Sequence, residues 1–529
     1  MCSLSRTVSN RESCWGGGPM VKIDEAKKIK SKHPSLLVWL GLFYLFLPVF
    51  CFTWYWFIGI VAVPMLVMGL ASMICLLNFR EFVAVRLSKV VKTLPTLAIS
   101  ALWVCTSGVW GFGFARTDDW KIARDDYLSA LTTLNWPIVH QFVNGGPLVY
   151  FRHYLGFYLP GPYITKVLNL EIQNSMIFTG IWMWFGVAIA LLLLGKLISS
   201  RGKGMVISNL VFVFFSGFDI LGSRLNGTSG LTPQSFLYAG HIEWWSKQFQ
   251  FSSMTTALHW VPQHAIAGWV GAMIILNLRC PRTFLLITPM VLSATLLWSP
   301  FVSVGLLLAA IAVWDPRWRV KRIRIQTQEL ICLAFAVING ALVAGFLMSG
   351  SSGLPRSLLY TNETYSRGGY VNGDGLQKTL LNLLIFLMIE LVPFVAVVVL
   401  WNKSRRRTAL LIGVLLIACT QLVMSYDSLF TMRASIPLLA ILAALTAETF
   451  QMQLRNGLLH IKTIVTILML FIGSFTPLIE FVARIESPYV GSQSLQTPCL
   501  ISGCVSDMTN PSKFVFDWSL KVPWYMKHP

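Results

Sequence analysis

The sequence predicts an all-α, polytopic membrane protein: a helical bundle of about thirteen transmembrane helices with two further helices lying along its outer surface. Three observations predict it. Apolar runs long enough to cross a hydrocarbon core of about 30 Å recur along most of the chain. Of the 529 residues, 55% are hydrophobic and 12% charged, where soluble domains carry about a quarter. The runs are long and continuous, without the short alternation of a membrane β-barrel.

Thirteen spans follow in order: 36–55, 57–79, 94–115, 174–198, 205–221, 264–278, 283–298, 300–314, 329–348, 379–400, 408–424, 431–449 and 461–481. The unbroken run from Leu36 to Phe79 is too long for one pass and is divided into two. The segments within 264–314 are short for spans and stand only as a tight hairpin.

Charge placement orients them. The first 35 residues form a basic tail without the apolar core of a signal peptide. Alternate loops hold Arg80/Arg86/Lys89/Lys92, Lys196/Arg201/Lys203, Arg279/Arg282, Arg317/Arg319/Lys321/Arg322/Arg324, Lys403/Arg405/Arg406/Arg407 and Arg455/Lys462. With a cytoplasmic N-terminus all of these lie inside, and that face carries the whole net charge of +20. Positive residues concentrate on the cytoplasmic side of membrane proteins, so no nucleic-acid partner is needed to explain the excess. The organisation is then a cytoplasmic tail (1–35), two N-terminal spans (36–93), a core (94–481) with outer loops 116–173, 222–263 and 349–378, and an outer C-terminal tail (482–529). Six of the ten cysteines sit in or beside spans as small apolar residues, while Cys499 and Cys504 are spaced for a small disulfide loop outside.

The chemistry must be built from outer loops on the bundle. The stretch "RTDDWKIARDDYLSALTTLNWP" carries two acidic pairs, Asp118-Asp119 and Asp125-Asp126, where the third span ends. Trp120, Tyr127, Leu131 and Leu134 recur at helical spacing, so an interfacial helix runs to Trp136-Pro137, with Lys121 and Asp125 placed to pair across one turn. A second interfacial helix is expected in "LVYFRHYLGFYLPGPYITKVL". Asp118 suits a helix N-cap. A partly desolvated carboxylate here also suits a general base, or one ligand of a divalent cation.

That arrangement resembles the GT-C superfamily of integral-membrane glycosyltransferases, which take sugars from polyprenyl-phosphate donors. A membrane helix ends in an outer loop with an acidic pair, two juxtamembrane helices follow, and many spans come after. The stretches "NWPIVHQFVNGGPLVYFRHYLGFYLPGPYITK", "HIEWWSKQFQFSSMTTALHWVPQHAIAGW" and "MRASIP" resemble bacterial membrane proteins of this kind. The resemblance runs from about residue 94 onward; the two spans ahead of it depart from the family's pattern, and the WWD-type motif of oligosaccharyltransferases has no clear counterpart. It implies that Asp118 or Asp119 is a base or metal ligand, that the donor is a polyprenyl-phosphate-linked sugar, and that the acceptor is an extracytoplasmic glycan, lipid or protein at the cytoplasmic (inner) membrane.

Other residues are candidates on their own chemistry. His241, Glu243, Trp244, Trp245, His259, Trp260, Gln263 and His264 combine aromatic faces with polar groups, which suits a saccharide; an interfacial aromatic belt has the same composition. Arg433 lies just inside the outer end of the twelfth span, a costly place for a cation, and its planar fork suits a donor phosphate; an ion pair with Asp427 is the structural alternative. Lys166, Arg152 and His153 are second-rank phosphate ligands, or contacts to membrane lipid headgroups. Asp219 is placed to line the same outer cavity as Asp118, and Glu390 sits mid-span as a neutral structural group or a proton relay. Two rivals to the transferase remain: a transporter or flippase for lipid-linked saccharides, and a non-catalytic partner in envelope assembly.

Overall fold

Helix occupies each of the thirteen apolar runs. The structure is a computed structural model and describes residues 34–77, 91–110, 114–117, 124–140, 149–198, 202–226, 242–318, 326–349, 356–359, 375–424, 429–486, 518–519 and 523–527. Asp118, Asp119, Lys121, His241, Asp427, Cys499 and Cys504 lie outside the described residues.

The chain opens with α1 (Leu36–Trp56), α2 (Gly59–Leu76) and α3 (Leu94–Cys105). A loop-rich stretch follows with α4 (Asp125–Thr133), β1 (Val139–His140), β2 (Val149–Phe151) and α5 (Pro160–Val167). Then come α6 (Asn174–Leu197), α7 (Lys203–Val213), α8 (Asp219–Leu225), a 3-10 turn (Ile242–Ser246), α9 (Met254–Trp260), α10 (Pro262–Asn277), α11 (Pro281–Leu296), α12 (Pro300–Val313) and α13 (Thr327–Met348). The remainder holds β3 (Arg356–Leu358), α14 (Gly375–Glu390), α15 (Val392–Trp401), α16 (Arg406–Thr420), β4 (Leu422–Met424), α17 (Leu429–Leu454), α18 (Ile461–Gly473), α19 (Phe475–Glu486) and β5 (Trp518–Ser519).

Six described helical segments are long and apolar enough to cross a membrane: α1, α2, α6, α13, α17 and the α18–α19 run over Ile461–Ile485. A seventh span results if α14 and α15, bent by 47°, count as one. This is a multi-pass helical membrane protein, with fewer full-length helices than thirteen apolar runs imply. The causes are local. The third run, expected over 94–115, stops being helix at Cys105, where the Thr106 and Ser107 hydroxyls donate back to the Trp103 and Val104 carbonyls and Gly108 takes a φ of +69°. The fifth run, expected over 205–221, leaves helix at Phe214 and passes through irregular chain before α8.

The second interfacial helix is also shorter than expected. Val149–Phe151 is a strand, paired antiparallel to β1 and to β5 from the C-terminal tail, and helix begins only at Pro160. Valine, tyrosine and phenylalanine favour a pleated surface once a partner is present, and one partner comes from far away in sequence. The tail returns again where Met526 bridges Phe57, so it lies on the face where α1 turns into α2. That face also carries α4, α5 and the β1–β2–β5 sheet. The opposite face is drawn together by ion pairs, Arg282–Glu329 between the starts of α11 and α13, and Arg405–Glu448 (2.7 Å) between α16 and α17.

At the centre stands α10, in which every residue from Pro262 to Leu276 is buried. It packs on α1, α6, α11, α12 and α17. Small residues permit the approach. A Cβ at Gly268 would meet Ile436 at 2.8 Å, and one at Gly271 would meet Leu306 at 2.8 Å. Between α12 and α17 the backbones themselves touch, since a Cβ at Gly305 would lie 2.2 Å from the Ala434 carbonyl oxygen.

Gly305→Ala therefore forces two backbones apart and should destabilise the protein by about 1–3 kcal/mol, the range of overpacked cores. Gly413→Ala is the control, because its nearest neighbour is the Val395 side chain at 3.5 Å. Thermal denaturation in detergent should separate the two variants; equal melting temperatures would reject the close crossing.

Candidate functional site

The loop-rich end of the bundle holds a cluster of cationic and imidazole side chains. Arg433 lies in the second turn of α17, and among the described residues its buried Nε has no acceptor. Its guanidinium acts electrostatically on His264 in the first turn of α10, as do Arg124 and His153. His264 is 1% exposed, and neither ring nitrogen has a hydrogen-bond partner among the described residues. The neighbouring Gln263 side chain likewise has a buried oxygen without a donor.

Each of these groups is placed by a local cause. Pro437 has no N–H to give the carbonyl of residue 433, one turn back, so α17 is loosened where Arg433 sits. Pro262 at the start of α10 tolerates the missing N–H of a first helical turn and sets His264 on that turn. The chain after β2 is pinned by Gly156, whose N–H donates to the Leu297 carbonyl (2.8 Å) and whose bare Cα lies against Trp298. That pin carries His153 and Tyr154 to the cluster, with Tyr154 and His264 at 5.2 Å between ring centroids. His153 in turn packs on Tyr127 of α4 at 4.6 Å.

Arg116 pairs with Asp125 from the other side of the loop; Lys121, expected to pair with the same carboxylate, lies outside the described residues. Burial pushes the Asp125 carboxyl up from 3.8 to about 6, against the pull of Arg116 and with the help of Asp126. Thr117 and Arg124, which bracket the segment holding Asp118 and Asp119, are both buried.

Lys166 and Arg152 are committed elsewhere. Lys166 donates to the Leu134 carbonyl and lies over the Trp136 ring, 5.4 Å from its centroid, while burial lowers its pKa. Arg152 donates to the carbonyls of Leu347 and Ser349 at the end of α13. Both brace the loop-rich face.

The stretch 241–264, expected as one sugar-binding surface, is divided among three places. Gln263 and His264 join the cationic cluster. His259 is fully buried, with Nε2 2.9 Å from the Thr106 hydroxyl; burial lowers its pKa, opposed by Glu480. Trp260 donates to both Glu480 oxygens at 3.2 Å. Glu243 and Trp245 turn into the protein. The Glu243 carboxylate accepts from Gln250 Nε2 (2.9 Å) and the Ser253 N–H (2.8 Å), and Trp245 Nε1 donates to Glu390 (3.0 Å). Trp244 stays at the surface, 62% exposed, so of the two tryptophans it alone presents its ring.

Asp219 is expected beside Asp118, which lies outside the described residues. Asp219 itself is buried, and its Oδ2 accepts from the Ser216 and Thr476 hydroxyls, both at 2.8 Å. Glu390 lies within its hydrogen-bonding reach. Sequence reading named both residues and missed that they meet; the break of α7 before Asp219 is what brings them together. Arg124 was missed as well, because the acidic pairs on either side of it drew the argument. Among the described residues no cluster of three metal-ligating side chains occurs.

No protein family, no curated protein and no solved structure matches this chain.

The titration of Asp125 is testable. Its folded value exceeds the unfolded one, so folding binds a proton, and this contribution to stability is full below about 3.8 and lost as pH rises through about 6. Asp125→Asn should flatten the melting-temperature profile across that interval. An unchanged slope would place the carboxyl in solvent.

Proposed function

We propose that the chain is an integral-membrane glycosyltransferase that moves a sugar from a polyprenyl-phosphate-linked donor to a glycan, lipid or protein acceptor on the loop-rich face. The observation that carries this reading is the cationic cluster at the bundle's end, where buried nitrogens of Arg433 and His264 have no partner among the described residues. A guanidinium placed there is costly unless an anion completes it, and its fork matches a phosphate. The lipid tail of such a donor would lie along the apolar helices, with its phosphate at the depth of Arg433. The sugar would then extend toward Tyr154 and the loop bearing Asp118 and Asp119. One of these two carboxylates serves as the base that takes the acceptor's proton, or as a ligand of a divalent cation. Inversion at the anomeric carbon rests on the resemblance to the superfamily alone.

The orientation belongs to the same proposal. Positive loops inside put the loop-rich face outside the cytoplasm of an inner membrane. A side-specific reporter after residue 404 and another after residue 520 should give opposite answers; the same answer at both sites rejects this topology.

The transport reading gains one specific observation, the interruption of α7 and of α14–α15 beside buried carboxyls. Sealed vesicles containing a fluorescent lipid-linked saccharide separate the two readings, since transport moves label between leaflets without forming a new glycosidic bond.

For the transferase, Arg433→Gln should weaken binding of polyprenyl phosphate about tenfold or more, as expected when a charge-assisted hydrogen bond worth about 1.5–3 kcal/mol is lost. In turnover the loss should fall mainly on the donor KM if the contact is equal in ground and transition states. Asp118→Asn or Asp119→Asn should lower kcat by about 10²–10⁴ at unchanged folding. Wild-type binding by Arg433→Gln, or full transfer by both aspartate variants together, would remove the assignment.

A further inference from the structure

Two interrupted helices and the one-residue turn that joins α18 to α19 meet at one point inside the bundle. α7 ends at Val213, and Phe215–Phe218 are irregular before α8 begins at Asp219. α14 ends at Glu390, and α15 leaves at 47°. α18 ends at Gly473, and α19 resumes at Phe475. Contacts tie the breaks together. A Cβ at Gly217 would lie 1.5 Å from Glu390 Oε2, and one at Gly473 would lie 2.6 Å from the Ser216 carbonyl oxygen. Thr476, just past the α18–α19 turn, donates to the carboxylate of Asp219, which follows the α7 break. The absence of side chains at 217 and 473 is what lets the broken ends close on each other.

The chemistry at this point is unbalanced. Asp219 and Glu390 are 2% and 3% exposed, and their carboxyls stand within hydrogen-bonding reach. Ser216 and Thr476 hydroxyls donate to Asp219, and Trp245 donates to one oxygen of Glu390. The other oxygen, Glu390 Oε2, has no donor among the described residues. Glu243 is the further charged group whose field reaches Glu390, and it adds to the negative side. Two carboxylates in contact away from water repel strongly, and desolvation adds to the cost. One positive charge between them removes both problems. Interrupted membrane helices that bring carboxyls and backbone carbonyls together are a known way to hold Na⁺ or H⁺.

We propose that Asp219 and Glu390 form a binding site for one monovalent cation, H⁺ or Na⁺, where the breaks after α7 and α14 meet the α18–α19 turn. The oxygens are hard, which suits either ion. Trp245 fixes one oxygen of Glu390 and leaves Oε2 for the cation. Ser216 and Thr476 hold Asp219 from the opposite side. The site is separate from the Arg433 cluster and stands whether the protein transfers or transports.

The test uses the full-length protein in lipid nanodiscs and infrared difference spectroscopy of the carboxylic-acid C=O stretch. In Na⁺-free neutral buffer the wild type should show a buried carboxylic-acid band equivalent to one group per chain, lost in Glu390→Gln or in Asp219→Asn. Titration with NaCl, against choline chloride, separates the two ions. Bound Na⁺ displaces the proton, so the band falls and the melting temperature rises to a plateau in the wild type alone. A band indifferent to Na⁺ but removed by either substitution assigns the site to H⁺. Carbon-13 labelling of Asp or Glu carboxyls in the wild type shifts the band and identifies its owner if a variant fails to fold. No carboxylic-acid band from these residues, together with no Na⁺-specific stabilisation, overturns the proposal.

Discussion

Everything at the loop-rich end depends on the central helix Pro262–Asn277 being buried on all sides. A helix with no solvent or lipid face has its rotation and depth fixed by every neighbour at once. Gly268 and Gly271 let Ile436 and Leu306 seat directly on its backbone, so it cannot slide without unpacking α12 and α17. Gln263 and His264 ride on its first turn and inherit that rigidity. The cationic cluster is thus built in part on a helix buried along nearly its whole length, although the segments around it are loops and short strands.

A second constraint is the need to satisfy backbone groups where helices stop inside the bundle. In an apolar medium an interrupted helix must find partners for its freed groups. At the end of α7 two are found nearby, since the Met254 N–H donates to the Phe215 carbonyl and the Thr255 hydroxyl to that of Val213. The same short helix, α9, begins with a side-chain cap from Ser253, and the N–H of that residue goes to Glu243. So the polar residues of 243–256, read from sequence as a surface for sugar, are largely consumed in holding a broken helix open. What remains for chemistry is the set of groups these bonds leave over: Trp244 at the surface, Glu390 Oε2 inside, and the His264–Arg433 cluster.

The sequence carried the helices and the loop-rich face well, because long apolar runs and the placement of lysine and arginine are local signals. It misjudged helix ends wherever side chains capped a backbone from within. Thr106, Ser107 and Gly108 end α3 ten residues before the apolar run ends, and hydropathy is blind to that. It misjudged Val149–Phe151 because the partner strand Trp518–Ser519 lies at the other end of the chain. At the site, Arg433 was legible as a cation at apolar depth, and Glu390 as a carboxyl in mid-span. Their partners were not. His264 and Asp219 reach them by tertiary packing, and no spacing encodes that. Asp118, Asp119 and His241 lie outside the described residues, so the acidic pair rests on sequence reasoning.

The region around Arg433 departs from what packing alone would select. Pro437 removes the hydrogen bond to the carbonyl of Arg433, which loosens the helix by one turn. Gly305 gives up side-chain burial so that α12 can touch the Ala434 carbonyl. Arg433 places a guanidinium where a leucine would stabilise the bundle more. His264 opposes it with an imidazole whose nitrogens have no partner among the described residues. Each departure costs stability, and they fall on one turn of α17, the point of α12 that touches it, and the first turn of α10. A merely structural arginine would be expected to close an ion pair within the bundle, as Arg405 does with Glu448 and Arg282 with Glu329 on the opposite face. Arg433 shows no such pair among the described residues. Together the four features set a guanidinium that is uncompensated among the described residues beside two closely packed helix turns.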